Sequence, residues 1–336
     1  MTFILLTGAG FSRNWGGWLA NETFEFLLGS PELDADLRSL LWKSKEAGGG
    51  FEDALTELQE EHDRRRDDLS KKRLNDLQAA IVGMFNLMDQ SFVATTFEPQ
   101  QEMNPITPRQ QNYVRTFLFR FDAIFTLNQD LLLERQYLNE NINSQQTGRW
   151  NGHQVPGMKR LHVSSMTDPV RDCVALLAPV DSANFEVRPG AQPYFKLHGS
   201  NNWVNGTSGG RLFIMGGNKA VAIDRYPILS WYHRQFREYL SRPGARLMII
   251  GYSFSDQHIN GAISDAVDRG TLRLFIIDPL GVDVIDKRNL RLPIRVPDAY
   301  VEKLAPRIVG ASRRPLSSTF GSDNVEHGKL MRFFEV

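Results

Sequence analysis

The chain predicts an α/β fold, a mostly parallel sheet with helices on both faces. Two observations carry this. Short continuous apolar runs, each closed by glycine or a polar residue, recur along the 336 residues, and stretches with helical spacing lie between them. Strands that are apolar on both sides belong to parallel sheets covered by helices, and alternation of strand and helix is the α/β pattern. The candidate strands are residues 3–7, 122–127, 194–197, 211–215, 246–250 and 272–277. The clearest are Leu247-Met248-Ile249-Ile250 before Gly251 and Leu274-Phe275-Ile276-Ile277 before Asp278-Pro279.

The first strand, Phe3-Ile4-Leu5-Leu6-Thr7, feeds Gly8-Ala9-Gly10-Phe11-Ser12-Arg13. Strand, glycine turn and helix start form a device for holding a phosphate, because glycine permits close approach and free N–H groups at the helix start face the anion. Arg13 stands where the dinucleotide fingerprint wants a third glycine, and the Lys-Ser/Thr ending of a P-loop is missing. A nucleotide site and a plain tight turn both remain open. A helix is expected after Ser12, with Trp18, Phe24, Leu27 and Leu28 among its apolar positions.

Phe51, Leu55 and Leu58, then Leu74, Leu77, Ile81, Phe85 and Met88, recur at helical spacing. This makes residues 30–117 a helical insertion. Its charged run from Glu60 to Arg73 alternates in sign, which reads as a solvated helix face or a helix–helix bend rather than a nucleic-acid patch. Pro99, Pro105 and Pro108 mark a connection, and residues 109–120 read as a helix. Residues 139–193, rich in Asn, Gln, Ser, Pro and Gly, read as a loop-rich insertion. Residues 205–210 read as a turn and 234–240 as a helix; the tail after Pro293 is broken by prolines and ends in Phe333-Phe334, a contact surface or part of the core.

Lys+Arg and Asp+Glu both number 39, so broad electrostatic binding to nucleic acid is not expected. No apolar run approaches the roughly 20 residues that span a bilayer, and the first apolar run lacks a basic leader. A cytoplasmic protein without membrane contact is expected. The single cysteine, Cys173, excludes an internal disulfide and a four-cysteine zinc site, and its apolar neighbours suggest a buried small side chain. His62, His153, His162, His233 and His327 show no ligand spacing, so no metal is expected.

Polar residues gather behind the strands. Gly8, Gly10 and Ser12 follow the first, and Asn128, Gln129 and Asp130 follow Ile124-Phe125-Thr126-Leu127. His198, Gly199 and Ser200 follow Phe195-Lys196-Leu197; Gly251 and Ser253 follow Ile249-Ile250; Asp278 follows Ile277. Five strands ending in this way indicate one convergent cleft, since ligands of such sheets sit outside the carboxyl ends of the strands. Read as chemistry, the set suits a nucleotide and a cleavable ribosyl bond. Gly8, Gly10 and Ser12 can hold phosphates, Gly251 and Ser253 add a second backbone approach, and Asp278 can accept from ribose hydroxyls. His198 is the natural general base, because an imidazole titrates near neutral pH. Asn128 can orient a water or hydroxyl, and Asp130 can stabilise cationic character; both also suit turn or helix-cap positions. His258 reads equally as a structural contact or a pocket wall.

These residues, Gly8-Ala9-Gly10-Phe11-Ser12, Thr126-Leu127-Asn128-Gln129-Asp130, Lys196-Leu197-His198-Gly199-Ser200 and Gly251-Tyr252-Ser253-Phe254, resemble the sirtuin motifs in sirtuin order. With Phe254, Asp256, His258, Ile259 and Asn260 following, the chain is more similar to the sirtuin-like NADase domains of bacterial antiphage defence systems. The resemblance implies a single catalytic domain over 1–336, with a Rossmann-like core of about 1–29, 118–138 and 194–290. It implies NAD+ as substrate, with Gly8, Ala9, Gly10, Ser12 and Arg13 as the phosphate loop. Gly251 and Ser253 take the adenosine half, Asp278 adds a ribose contact, and Asn128, Asp130 and His198 are catalytic. Deacetylase sirtuins carry a glutamine at Leu127 and a four-cysteine zinc ribbon. One cysteine cannot build that ribbon, so no zinc is expected and cleavage of NAD+ by water is favoured over deacetylation. ADP-ribosyl transfer, deacylation and NAD sensing without turnover remain alternatives. Uncontrolled NAD+ loss harms a cell, so gating is expected through a homo-oligomer or a separate partner, such as a HerA-type ATPase or a short Argonaute, in abortive infection.

Overall fold

A computed structural model describes residues 1–97, 113–139, 142–161, 174–205, 210–216, 219–286 and 298–335. The chain opens with β1 (Thr2–Thr7), a one-turn helix α1 (Ala9–Arg13), and α2 (Ala20–Leu28). The helix expected after Ser12 is thus two pieces, parted by Gly16 at φ +87°. Then come α3 (Ala35–Glu46), α4 (Phe51–Arg65), the 26-residue α5 (Asp68–Val93), α6 (Val114–Leu118) and the one-turn α7 (Ser144–Thr147). The charged run is the bend between α4 and α5. Arg66 turns left-handed at φ 54°, and Asp67 caps α5 by accepting from the Ser70 N–H at 2.7 Å. Around the bend Glu61 pairs with both Arg65 and Arg73.

The main sheet continues with β2 (Ala123–Thr126), β3 (His153–Gln154) and β6 (Gln192–Lys196), then β9 (Ala245–Ile250), β10 (Arg273–Ile277) and β11 (Ile308–Ser312). Its order is β11-β10-β9-β1-β2-β6-β3, and every pairing is parallel. Read outward from β1, one half runs to β2 and β6 and the other to β9, β10 and β11. That is the doubly wound arrangement, with its switch point between β1 and β9.

A smaller sheet holds β4 (Met158–Arg160), β5 (Leu177–Pro179), β7 (Gly199–Asn205) and β8 (Gly210–Phe213). The strand read at 211–215 therefore lies outside the main sheet. β7 went unread because polar residues fill it, yet Trp203 at its centre is fully buried. The main sheet also takes β3 from the loop-rich stretch and β11 from the proline-broken tail.

Side chains alternate between two cores. Leu5, Ile124, Tyr194, Met248 and Phe275 face α2–α5, while Ile4, Leu6, Phe125, Phe195, Leu247 and Ile249 face α9 (Pro227–Leu240) and α10 (Gln257–Arg269). Helices cover both faces of the sheet, as the continuously apolar strands predict. Phe333 is 2% exposed and, with Phe334, packs on Phe3 at ring distances of 5.8 and 5.2 Å, so both belong to the core. Among the described residues no helix is long and apolar enough to cross a membrane. Cys173, His162, residues 98–112 of the connection and 206–209 of the turn lie outside the described residues.

Candidate functional site

The carboxyl ends of β1, β9, β2 and β6 lie side by side, and each carries residues read as functional. At the switch point the loops after β1 and β9 cross backbone to backbone. The Gly8 N–H donates to the Ile250 carbonyl and the Gly10 N–H to the Gly251 carbonyl, both at 3.0 Å. Gly251 adopts φ +62°, and a Cβ placed on it would lie 2.3 Å from the Gly10 carbonyl carbon. Glycine is needed here for the crossing itself. Gly251→Ala is expected to cost roughly 1–3 kcal/mol from overpacking, read as a lower denaturant midpoint; an unchanged midpoint removes the steric account.

This crossing corrects one expectation. The N–H groups read as free for an anion are bonded within the protein at Gly8 and Gly10, and the Phe11 N–H donates to the Gly8 carbonyl at 2.9 Å. An anion at Gly10 has to compete with the Gly251 carbonyl. Arg13 is exposed and pairs with Glu22 at 2.5 Å. Ser253 is exposed and its hydroxyl bonds that of Ser255 at 2.9 Å. Asp278 closes its own turn, its carboxylate accepting from the Leu280 N–H at 2.9 Å, and burial raises its pKa.

Asn128 joins β2 to the glycine loop. Its side-chain amide donates to the Gly8 carbonyl and to the Ser12 hydroxyl oxygen, both at 3.0 Å. Ser12, 2% exposed, stands by the Asp130 carboxyl and pulls its pKa down. Asp130 also takes the cap role weighed for it, accepting from the Leu132 N–H at 3.1 Å, and burial raises its pKa against the pull of Lys196. Lys196, fully buried at the end of β6, donates to the Asp130 backbone carbonyl and to Glu134 Oε1, the latter at 2.7 Å. Glu134 is 6% exposed and begins a π-helical turn, Glu134–Leu138. This buried ion pair was not legible in the sequence, where Glu134 reads as an ordinary helix residue.

His198 leaves β6 directly behind Lys196 and is 2% exposed. Gly199 follows at φ +76°, where a Cβ would lie 2.3 Å from the Leu212 carbonyl, so the chain can turn there into β7 only as glycine. Two further histidines close on it. His198 Nε2 stands 3.0 Å from His258 Nε2, and the His233 ring, whose Nε2 bonds the Leu197 carbonyl at 2.9 Å, lies 6.4 Å from His198 and 5.1 Å from His258, centre to centre. His258 is thus a direct neighbour of His198. Burial holds the His198 imidazole well below its ordinary pKa, with Asp256 opposing and Lys219 and the other histidines adding to the drop. Burial likewise lowers His258 and takes His233 to about 4. Burial pushes Asp256 up, but His198 and Lys219 together hold it below the usual range. Lys219, at the start of α8 (Lys219–Asp224), reaches Asp256 and Glu52, each at 2.9 Å. A cavity of about 890 Å³ is lined by His233, His258, Trp231, Arg234 and Arg237, among others. The sequence separated these histidines by tens of residues, so spacing could not reveal their meeting.

With β2, β6 and β9 carrying their polar ends into one region, a family comparison becomes decisive. A SIR2-like domain model matches residues 122–292, just over half of the chain. The chain belongs to the SIR2-like domain family. The SIR2-like match includes Asn128, Asp130, His198, Gly251, Ser253 and Asp278, while the Gly8–Ser12 loop precedes it. NAD-related activity goes with SIR2-like membership at the level of the family. A comparison with curated proteins found no match.

Proposed function

We propose that this SIR2-like protein hydrolyses NAD+ at the nicotinamide–ribose bond, giving nicotinamide and ADP-ribose. The observation that carries the reading is a buried His198 just beyond β6, the strand that adjoins β2 and the Asn128 turn behind it. Both amide hydrogens of Asn128 are committed to Gly8 and Ser12. Its side chain is therefore fixed, and its carbonyl oxygen is the group left to accept from a ribose hydroxyl or from water. His198 then takes a proton as the water oxygen bonds the ribose carbon and nicotinamide leaves with the electrons of the broken bond. The transition state has oxocarbenium character, so a site without a strong covalent nucleophile suffices when its dipoles are held in place. The Asn128–Ser12–Asp130–Lys196 chain of contacts supplies that rigidity.

Incubating the purified chain with NAD+ and following both products by chromatography tests this. Nicotinamide and ADP-ribose are expected in equal amounts, and Asn128→Ala is expected to lower turnover by about tenfold to a hundredfold, since an oriented oxygen is lost. ADP-ribose appearing as added mass on a protein acceptor would replace hydrolysis by transfer. NAD+ recovered intact, with bound NAD+ detected, would leave a sensor. The resemblance further suggests an effector that depletes NAD+ during phage infection, released by a partner or by self-assembly; a fall in cellular NAD+ on infection, absent in the His198→Ala strain, is the expected sign.

A further inference from the structure

We propose that His198, Asp256 and His258 form a binding site for a divalent transition-metal ion of the zinc type. Three ligand atoms, one from each residue, lie within 4.8 Å of one another. The two imidazole nitrogens face each other through Nε2 at 3.0 Å. A tetrahedral zinc with bonds of about 2.0–2.1 Å to nitrogen sets such ligands about 3.3 Å apart, so the rings need to part by only a few tenths of an ångström. In the metal-free pair one Nε2 carries the hydrogen between the rings. On binding, that ring shifts its proton to Nδ1 and both lone pairs face the ion.

The surroundings complete such a site. Two imidazoles and one carboxylate suit zinc and its neighbours rather than magnesium or calcium, which take oxygen ligands. Asp256 Oδ1 is held by Lys219 at 2.9 Å, and Lys219 is itself matched by Glu52 at 2.9 Å. The three groups together keep one negative charge for the ion, and Lys219 orients the carboxylate as outer partners of metal ligands do. His233, anchored on the Leu197 carbonyl, backs both ligand rings. His258 lines the 890 Å³ cavity, which provides a route of entry. The absence of ligand spacing among His62, His153, His162, His233 and His327 carried the expectation of no metal; the ligands here are other residues, His198 behind β6 and Asp256 and His258 at the start of α10.

An ion here occupies the Nε2 lone pair of His198 and so silences its proton acceptance. That inhibitory consequence rests on the hydrolytic reading; the binding does not. The test uses the full chain, stripped with a chelator and titrated with Zn2+ alone by calorimetry, and with Co2+ read by visible absorption. One ion per chain is expected, with affinity reduced at least about tenfold in both His258→Gln and Asp256→Asn. Zn2+ is also expected to shield His258 of the unmodified chain, half-buried where His198 is buried, from diethyl pyrocarbonate, mapped by mass spectrometry, a readout that needs no variant to fold. No binding, undiminished binding in both variants, or an unshielded His258 overturns the site. One-to-one binding by a chain that, once stripped of metal, still leaves NAD+ intact upholds the metal site and removes the hydrolytic reading, so the two fail separately.

Discussion

Replacing His198 by alanine is expected to lower NAD+ turnover about a hundredfold or more, the usual loss on removing a positioned general base. The imidazole is 2% exposed and burial holds its pKa well below the ordinary value, which leaves it uncharged at neutral pH and weakens it as a base, so its contribution rests on position. Two neighbouring groups are already engaged. Lys196 is committed to Glu134 and to the Asp130 carbonyl, and the His233 Nε2 to the Leu197 carbonyl. The variant is expected to melt as a folded protein and to retain NAD+, so the loss falls on turnover and not on binding. Turnover within a few-fold of the unmodified chain would remove His198 as the base and leave its burial as packing.

The second large effect is on stability. Lys196→Met is expected to cost about 3–5 kcal/mol, because removing one partner leaves a buried charge uncompensated. That is a large fraction of the roughly 5–15 kcal/mol that holds a domain folded. Glu134, 6% exposed, lies 2.7 Å from Lys196, and burial pushes its pKa up against the pull of that ammonium. Without the ammonium, burial acts unopposed and the native carboxyl binds its proton more tightly than the unfolded chain does. Stability relative to the unmodified protein is then best preserved at low pH and is lost as pH rises through the native pKa. The deficit measured by urea denaturation is expected to be smaller at pH 5 than at pH 8, and Lys196→Met with Glu134→Gln is expected to recover part of it. A deficit independent of pH would point to lost packing. Because Lys196 also holds the Asp130 carbonyl, the single variant is expected to loosen the turn that carries Asn128.

Much of this was legible in the residues. The central strands β1, β2, β6, β9 and β10 are covered on both faces, so their apolar runs are continuous and each ends at a change to glycine or a polar side chain. The edges were harder to read. β3 is two residues long, and β11 (Ile308–Ser312) holds Gly310 and follows Pro306, so neither has the length or apolar density of a buried strand. β7 carries its polar residues inward, with Trp203 as its anchor. The glycine loop was read as a close backbone approach to a phosphate, whereas the group it approaches here is the Gly251 backbone. Nothing local to Gly8 and Gly10 says that Gly251 will take their space.

The sequence by itself determined the α/β class, the positions of the central strands and the polar residues at their carboxyl ends, because burial on two faces writes itself into consecutive residues. Only the tertiary structure decided which of those ends meet. Asn128 on Gly8 and Ser12, Lys196 on Glu134, and His198 on His258 and Asp256 are contacts between segments up to 120 residues apart. Such contacts depend on strand order and on the crossing at β1 and β9, which follow from how the whole sheet packs rather than from any local pattern.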